Sequence, residues 1–319
     1  MLRAYHGGLF FRYLAERLRH RDPAAARYLR QGLGIAEREK KLHKYWLPHL
    51  ERTKAAQRRW AESLSGSDLA VLGAGRLFDF AADTLPARFK RLLLFDADPS
   101  CAERWHTLSG VQIEPLIGDL TGCIQHWQQD LDRFYGGWDE SLAHIAGIVQ
   151  PADHAMLFAA DAVLSLNLMS QLPIAWQDCV EDYLSRKFGE RNVAGKESEW
   201  LLAAEPGAQW IVEQHLASLA VSGAGSILLV TDVEYAEYRG GPNSVRWNQG
   251  VWDADAGLRV DVTPALYGLD PIALLPDYTL RWQESWLWDI SPIGVESATC
   301  GTTHRVAAMA FDRNSIWHN

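Results

Sequence analysis

Four places in the chain carry residues that together could hold a nucleoside. Gly73-Ala74-Gly75 cut off an apolar run that starts at Leu69. A glycine turn between a strand and a helix sets backbone N–H groups, and the positive end of a helix, beside a ligand. The next apolar run, 91–96, ends on Asp96, about twenty residues beyond Gly75. An acid there can accept both hydroxyls of a ribose. A third run, 111–119, leads into Gly118-Asp119-Leu120, and a fourth, 161–167, ends on Asn167. An acid at the third strand end is well placed for the amine of adenine. Taken singly, each acid is more readily a helix cap than a ligand. In this order they mark the carboxyl edge of an open α/β sheet, where ligands bind.

The residue types narrow the nucleotide. A dinucleotide fingerprint needs a third glycine where Phe78 stands, which argues against NAD and FAD. The phosphate loop GxxxxGK[ST] is absent, which argues against ATP and GTP. The four cysteines are scattered, with no CxxC pair and no Cys/His spacing suited to zinc. A reduced, metal-free, cytoplasmic protein is therefore expected.

Over roughly residues 68–312 the chain resembles the class I S-adenosylmethionine-dependent methyltransferases. "VLGAGR" resembles that family's first motif, which implies Gly73, Ala74 and Gly75 against the methionine part of the cofactor. "LFDADP" resembles the second, implying Asp96 on the ribose and Ala97 or Asp98 by the adenine. "GDL" resembles the third, implying Asp119 on the adenine amine and Leu120 against the ring. "SLNLMSQLP" stands where the family lines the methyl-donor and substrate side, which brings in Asn167, Ser170 and Gln171. Two departures stand out. The common GxGxG would put glycine at 77, where this chain has Leu77, and no acid precedes the first motif. "NLMSQLP" is not the Asn/Asp-Pro-Pro-aromatic signature of base-amine methylation, and no Pro-Cys nucleophile follows the fourth strand. Both absences lower nucleic acid methylation.

Methyl transfer is an in-line displacement for which a protein supplies position and a dry site. An oxygen or nitrogen nucleophile can need a general base. The candidates at the carboxyl edge are Asp232, Glu234 and Tyr235 after the fifth strand, with Tyr238 opening the segment beyond. His215 falls in a helical stretch and reads as a packing or surface histidine. "HKYWLPHLERTK", 43–54, joins aromatics, histidines and cations just ahead of the first strand. By analogy with related folds it is a lid, with Trp46 or His49 reaching the site and Lys54 meeting the donor carboxylate.

Alternating strands and helices must position these residues. The patterns predict strands at 69–73, 91–96, 111–119, 161–167 and 226–232, with closing strands at 278–290 and 303–311. Helices are predicted over 78–89, 99–108, 121–134, 174–189 and 206–220. The expected fold is α/β: a doubly wound, mostly parallel seven-stranded sheet with an antiparallel closing strand, preceded by an N-terminal helical subdomain. Residues 1–65 form that subdomain, built of two or three helices. Asp22 caps one of them, Gly34 ends it, and Pro48 breaks or kinks the next. Residues 66–319 form the cofactor-binding domain, with a long insertion near 233–277.

Charge divides the chain. Residues 1–60 carry fifteen Lys/Arg against five Asp/Glu, and the remainder sixteen against thirty-five. A basic arm on an acidic body either folds back on its own domain, meets a partner's, or recruits nucleic acid. The apolar positions Phe10, Phe11, Tyr13, Leu14 and Leu18 favour folding back, and arm exchange makes a homodimer an expectation. No apolar run is long enough for a transmembrane span, and the N-terminus lacks a secretory signal's features. The function expected is methyl transfer from S-adenosylmethionine to an O or N atom of a small-molecule or protein acceptor. The alternatives are an RNA methyltransferase gripping its substrate with the basic arm, or a non-catalytic cofactor-binding protein.

Overall fold

The computed structural model describes residues 25–64, 66–148, 159–239, 245–248, 251–254 and 259–314, together with residues 13, 16 and 20. Five strands in the first three quarters of the chain are parallel: β1 (Asp68–Leu72), β2 (Arg91–Asp96), β3 (Gln112–Ile117), β4 (Ala162–Leu166) and β5 (Ser226–Arg239). After β5 come β6 (Val245–Asn248), β7 (Val251–Ala254), β8 (Arg259–Pro264), β9 (Tyr278–Ser291) and β10 (Cys300–Arg313). The main sheet runs β3-β2-β1-β4-β5-β10-β9, with β8 paired on the far half of β5. β10 lies antiparallel to both β5 and β9, so it is the reversed closing strand. The chain leaves β1 toward β2 on one side, and β4 lies on the other. That reversal opens a crevice at the carboxyl edge.

Strand alternation builds a core on each face. Leu69 and Val71 of β1 point to one side with Phe80, Leu85 and Trp105. Ala70 and Leu72 point to the other with Val212, Leu216 and Leu219. Near-continuous apolar strands are what a sheet covered on both faces requires. The helices are α1 (Ala25–Ala61), α2 (Leu85–Arg88), α3 (Ala102–Trp105, after a 3₁₀ turn at Pro99–Cys101), α4 (Ile124–Arg133), α5 (Trp138–Ala146), α6 (Leu172–Phe188), α7 (Glu190–Gly195) and α8 (Glu197–Val221). Trp127, Trp176 and Trp210 join α4, α6 and α8, with Trp127 4.7 Å from Trp176 and 5.3 Å from Trp210.

Several expectations are corrected. α1 is one helix of 37 residues that runs through both Gly34 and Pro48. An internal proline costs roughly 3 kcal/mol. Buried Leu42 and Trp46 before it, and Leu50, Ala56 and Trp60 after it, anchor the helix on both sides and offset that cost. Ala56, Trp60 and Ala61 share a core with β1, so the end of α1 is built into the sheet's packing. The expected Asp22 cap and the apolar arm residues lie outside the described residues, apart from Tyr13.

The helix expected over 78–89 shrinks to α2. Gln57 of α1 accepts from the Ala81 N–H at 2.8 Å and donates to the Asp79 carbonyl at 2.7 Å, taking the groups a helix would pair. Conversely, α8 starts nine residues earlier than expected and absorbs Pro206, while α5 and α7 were not anticipated. β5 continues to Arg239, because β8 and β10 satisfy its two edges there. The stretch expected to be irregular therefore holds strand structure, including a β6–β7 hairpin. Among the described residues, no helix is long and apolar enough to cross a membrane.

Candidate functional site

The glycine turn sits where β1 ends. Gly73 has φ 81° and Gly75 φ 49°. A Cβ on Gly73 would stand 2.8 Å from the Leu166 carbonyl and 2.9 Å from Leu168, so side chains are excluded on both counts. Leu77 holds the left-handed conformation too, at φ 62°, where the common motif has glycine. The turn's N–H groups are not offered to a ligand. Those of Gly73 and Ala74 donate to the Phe95 carbonyl, each at 3.0 Å, and that of Gly75 donates to Asp96 Oδ2 at 2.7 Å. The Trp105 indole N–H donates to the Gly75 carbonyl at 2.9 Å and fixes the turn from behind.

The turn opens on a cleft of about 1160 Å³, mouth included. Gly73, Gly75, Asp96, Ala97 and Asp98 line it along β1 and β2, and Asp119, Leu120, Asn167 and Gln171 along β3 and β4. Ala74 is wholly buried behind the turn. α1 roofs the cleft with Tyr28, Gln31 and Gly32 at one end and Trp46 and His49 at the other. Gly32 is needed there, because a Cβ on it would overlap the Asp98 carboxylate.

Asp96 is the centre of the cleft. Its Oδ2 accepts from Gly75 and its Oδ1 from the Asp98 N–H at 2.8 Å. Each oxygen keeps a second lone pair for a ligand hydroxyl. Burial pushes its carboxyl up to about 6, against the pull of those two N–H groups. Asp98 is occupied as the cap of the Pro99 turn, accepting from the Ser100 N–H and hydroxyl at 2.9 Å each. Asp119 is occupied likewise, by the Thr121 N–H and hydroxyl and by the Ile124 N–H at 3.2 Å. Beside it lies the Tyr28 hydroxyl, whose pKa is raised by burial and by the neighbouring Asp119 carboxylate.

The far end of the cleft is aromatic. His49 stacks on Trp288 at 4.0 Å, and the Trp286 indole N–H donates to His49 Nδ1 at 3.0 Å. An indole can only donate, so Nδ1 accepts, and Nε2 lies 3.3 Å from the Asn167 amide nitrogen. Burial pushes His49 down to about 3. Asn167, left-handed at φ 47°, donates to Asp79 at 2.6 Å, and its Oδ1 has no partner. Burial pushes the Asp79 carboxyl up, while the Asn167 donor pulls it down.

Other candidates stand outside the lining. Lys54 pairs with Glu51 of its own helix at 3.3 Å. Glu234 is held by the Arg305 guanidinium through bonds of 2.9 and 2.6 Å, so its carboxylate is engaged on the sheet. Tyr238 is a buried strand residue of β5, packed against Gly301, and not the start of a loop. The Ser170 hydroxyl donates to Asp232 at 3.0 Å, and the Tyr235 hydroxyl donates to the Ser170 carbonyl at 3.3 Å. His215 is buried and bonds Ser165 at 2.8 Å, the packing role expected of it. Tyr28, Asp79, Trp288 and His304 escaped sequence reading. None ends a strand at the carboxyl edge or carries a motif, and only the fold brings them to the cleft or its end.

No protein-family model matches the chain, and no curated protein matches it in sequence. Solved structures that align include the N-methyltransferase NodS from Bradyrhizobium japonicum WM9 in complex with S-adenosyl-L-homocysteine, at 12% identity and a TM-score of 0.38 over 83% of this chain and 87% of that one. An S-adenosylmethionine-dependent methyltransferase from Clostridium acetobutylicum aligns at 9% identity and a TM-score of 0.38, over 88% and 98%. A TehB-like enzyme from Corynebacterium glutamicum aligns at 12% identity and a TM-score of 0.37, over 89% and 98%. The strand order and sense define the fold. A mostly parallel sheet, doubly wound, with a reversed closing strand, is the Rossmann-like fold of the class I S-adenosylmethionine-dependent methyltransferases.

Proposed function

We propose that the chain transfers the methyl group of S-adenosylmethionine to an acceptor bound at the aromatic end of the cleft. The observation that carries this reading is a half-buried Asp96, oriented by the glycine turn, inside an acidic crevice. Asp79, Asp96, Asp98 and Asp119 line the crevice against a single lining arginine, Arg76. Such a lining suits a cationic nucleoside and repels a pyrophosphate. A dinucleotide also needs free turn N–H groups and a helix start beside them. Here the N–H groups are taken and the next helix begins only at Leu85.

The residues fit the cofactor. Asp96 would hold the ribose and the Tyr28 hydroxyl the base. Asn167 Oδ1 is an unpartnered acceptor for the ammonium. When bound, the cofactor supplies a methyl group on a sulfonium sulfur. α1 would exclude water over the base and the ribose, and the rings of Trp46, His49 and Trp288 would keep the transfer site dry.

The acceptor is proposed to be a small molecule. RNA needs cations for phosphate, and three arginines of α1 are engaged by the protein's own acids. Arg27 pairs with Asp182, Arg38 with Glu296 and Arg58 with Asp83. The test is calorimetric titration of S-adenosylmethionine, S-adenosylhomocysteine and NADH into wild type and Asp96→Ala. Micromolar binding of the first two, weakened at least ~10-fold in the variant by the lost charged hydrogen bonds, is expected. Binding of NADH alone sinks the reading.

A further inference from the structure

One buried carboxylate, outside the cleft's lining but joined to its Trp288 wall through His304, has no part in holding the cofactor. Asp232, on β5, is 2% exposed. Its Oδ2 accepts from Ser170 and lies 3.2 Å from Nδ1 of His304 on β10, while its Oδ1 has no hydrogen-bond partner. Burying a carboxylate is costly unless it is paired. Among the described residues no Lys or Arg forms an ion pair with it, and His304 does.

The strands present this pair to the site. The β5–β10 register shifts between Arg305 and Val306, next to His304. Bulges of this kind re-aim side chains beside functional sites. The Tyr235 ring lies 4.4 Å from His304, and Trp288, a wall of the cleft, meets it edge-on at 5.8 Å. His49 stacks on that same Trp288 and is neutral. Glu234 and Arg305, the nearest further charges along the two strands, answer each other. The His304 side chain keeps 16% of its surface, whereas His49 and His215 keep 1% and 5% as residues. The Nδ1 contact with Asp232 is close but not aligned as a hydrogen bond. Catalytic contacts are often loose before substrate binds and tighten with it.

We propose that His304, positioned by Asp232, is the general base of the acceptor site, and that the acceptor is a weakly acidic, phenol-type hydroxyl on a planar small molecule. The proposal rests on the methyl-transfer reading of the cleft. Once Nδ1–H turns to Asp232 as the acceptor binds, the free lone pair of the ring is on Nε2. The acceptor hydroxyl gives its proton to Nε2. Its oxygen pair forms the new bond to the methyl carbon, and the carbon–sulfur pair returns to sulfur as a thioether. The imidazolium, stabilised by Asp232, then releases the proton to water. Tyr235, Trp288 and His49 offer rings to a planar acceptor.

The test uses the full chain. Diethyl pyrocarbonate, which acylates an unprotonated and accessible imidazole, is applied at pH 7 and mapped by peptide mass. His304 is expected to react, and His49 and His215 are not. Phenols, amines and carboxylic acids are then offered with S-adenosylmethionine, reading S-adenosylhomocysteine release. Phenols should turn over. His304→Gln should lower kcat at least ~100-fold, remove the rising limb of the pH profile, and leave the S-adenosylhomocysteine Kd within about twofold. Asp232→Asn should lower kcat while leaving KM and the S-adenosylhomocysteine Kd within about twofold, because the ring is no longer held in place. An inert His304, turnover of carboxylates alone, or His304→Gln with unchanged kcat and pH limb overturns the assignment. If no acceptor turns over, the reagent result decides. A chain that binds no S-adenosylhomocysteine overturns the methyl-transfer reading and the base with it. A chain that binds it but leaves His304 inert overturns the base alone.

Discussion

Asp96 shows how one side chain is prepared for its ligand. Two backbone N–H groups orient the carboxylate, yet burial wins and its pKa rises to about 6. Only the ionised form offers every lone pair to two ribose hydroxyls. Cofactor affinity is therefore expected to be flat above pH 7 and to weaken as pH falls below about 6. Titration calorimetry of S-adenosylhomocysteine from pH 5 to 8 checks this. Affinity unchanged across that range would remove Asp96 from the ribose. The same balance explains why Asp98 and Asp119 are weaker candidates than their motif positions suggest. Each carboxylate already caps the turn that follows it.

At the scale of elements, α1 decides the shape of the cleft. It packs on β9 through Trp46, whose indole N–H donates to the Ile290 carbonyl at 3.0 Å. It is tied to α6 by Arg27, bonded to the Ala175 carbonyl at 2.8 Å, and by Gln31, bonded to Asp178 at 2.7 Å. Between these anchors Gly32 passes directly over Asp98. Gly32→Ala should therefore weaken cofactor binding at least ~10-fold and lower stability by about 1–3 kcal/mol, the usual cost of overpacking. An alanine inside a helix normally stabilises by about 1 kcal/mol relative to glycine. A urea midpoint that rises in the variant would show that the roof stands further from Asp98.

Over the whole molecule, two buried histidines couple stability to pH. Burial pushes His215 down to about 4 and His49 to about 3, while in the unfolded chain both titrate near 6.5. The unfolded state thus binds more protons between those values, and stability falls as pH drops. The native advantage is complete above about pH 7 and is lost progressively from pH 6.5 to 4. For His215 alone the full loss is about 3 kcal/mol. Urea unfolding at pH 7, 6 and 5 should show the decline, and His215→Asn should flatten part of it. A variant with the wild-type slope would assign the effect elsewhere. Part of the opposite charge of the chain's two parts is met inside one molecule: Arg27, Arg38 and Arg58 of α1 meet acids on α6, on the β9–β10 connection and on the segment before α2.

The sequence by itself determined the alternation of strands and helices, the sheet type and the order of strand-end residues. Those are local properties, because apolar runs of strand length and glycine at the turn are dictated by neighbours in the chain. Gly73, Asp96, Asp119 and Asn167 were legible for that reason. Only the tertiary structure decided the fate of 78–89, where Gln57 of α1 captures backbone groups from another element. It also carried α1 through Pro48, by packing on both sides of it, and paired the far half of β5. At the aromatic end of the cleft Trp46 and His49 were anticipated by family analogy, and the remainder was invisible for the same reason. Trp288 and His304 read as ordinary closing-strand residues until the β9–β10–β5 register and α1 bring them to His49, Asp232 and Tyr235. Chemistry assembled across four distant elements leaves no pattern in any one of them.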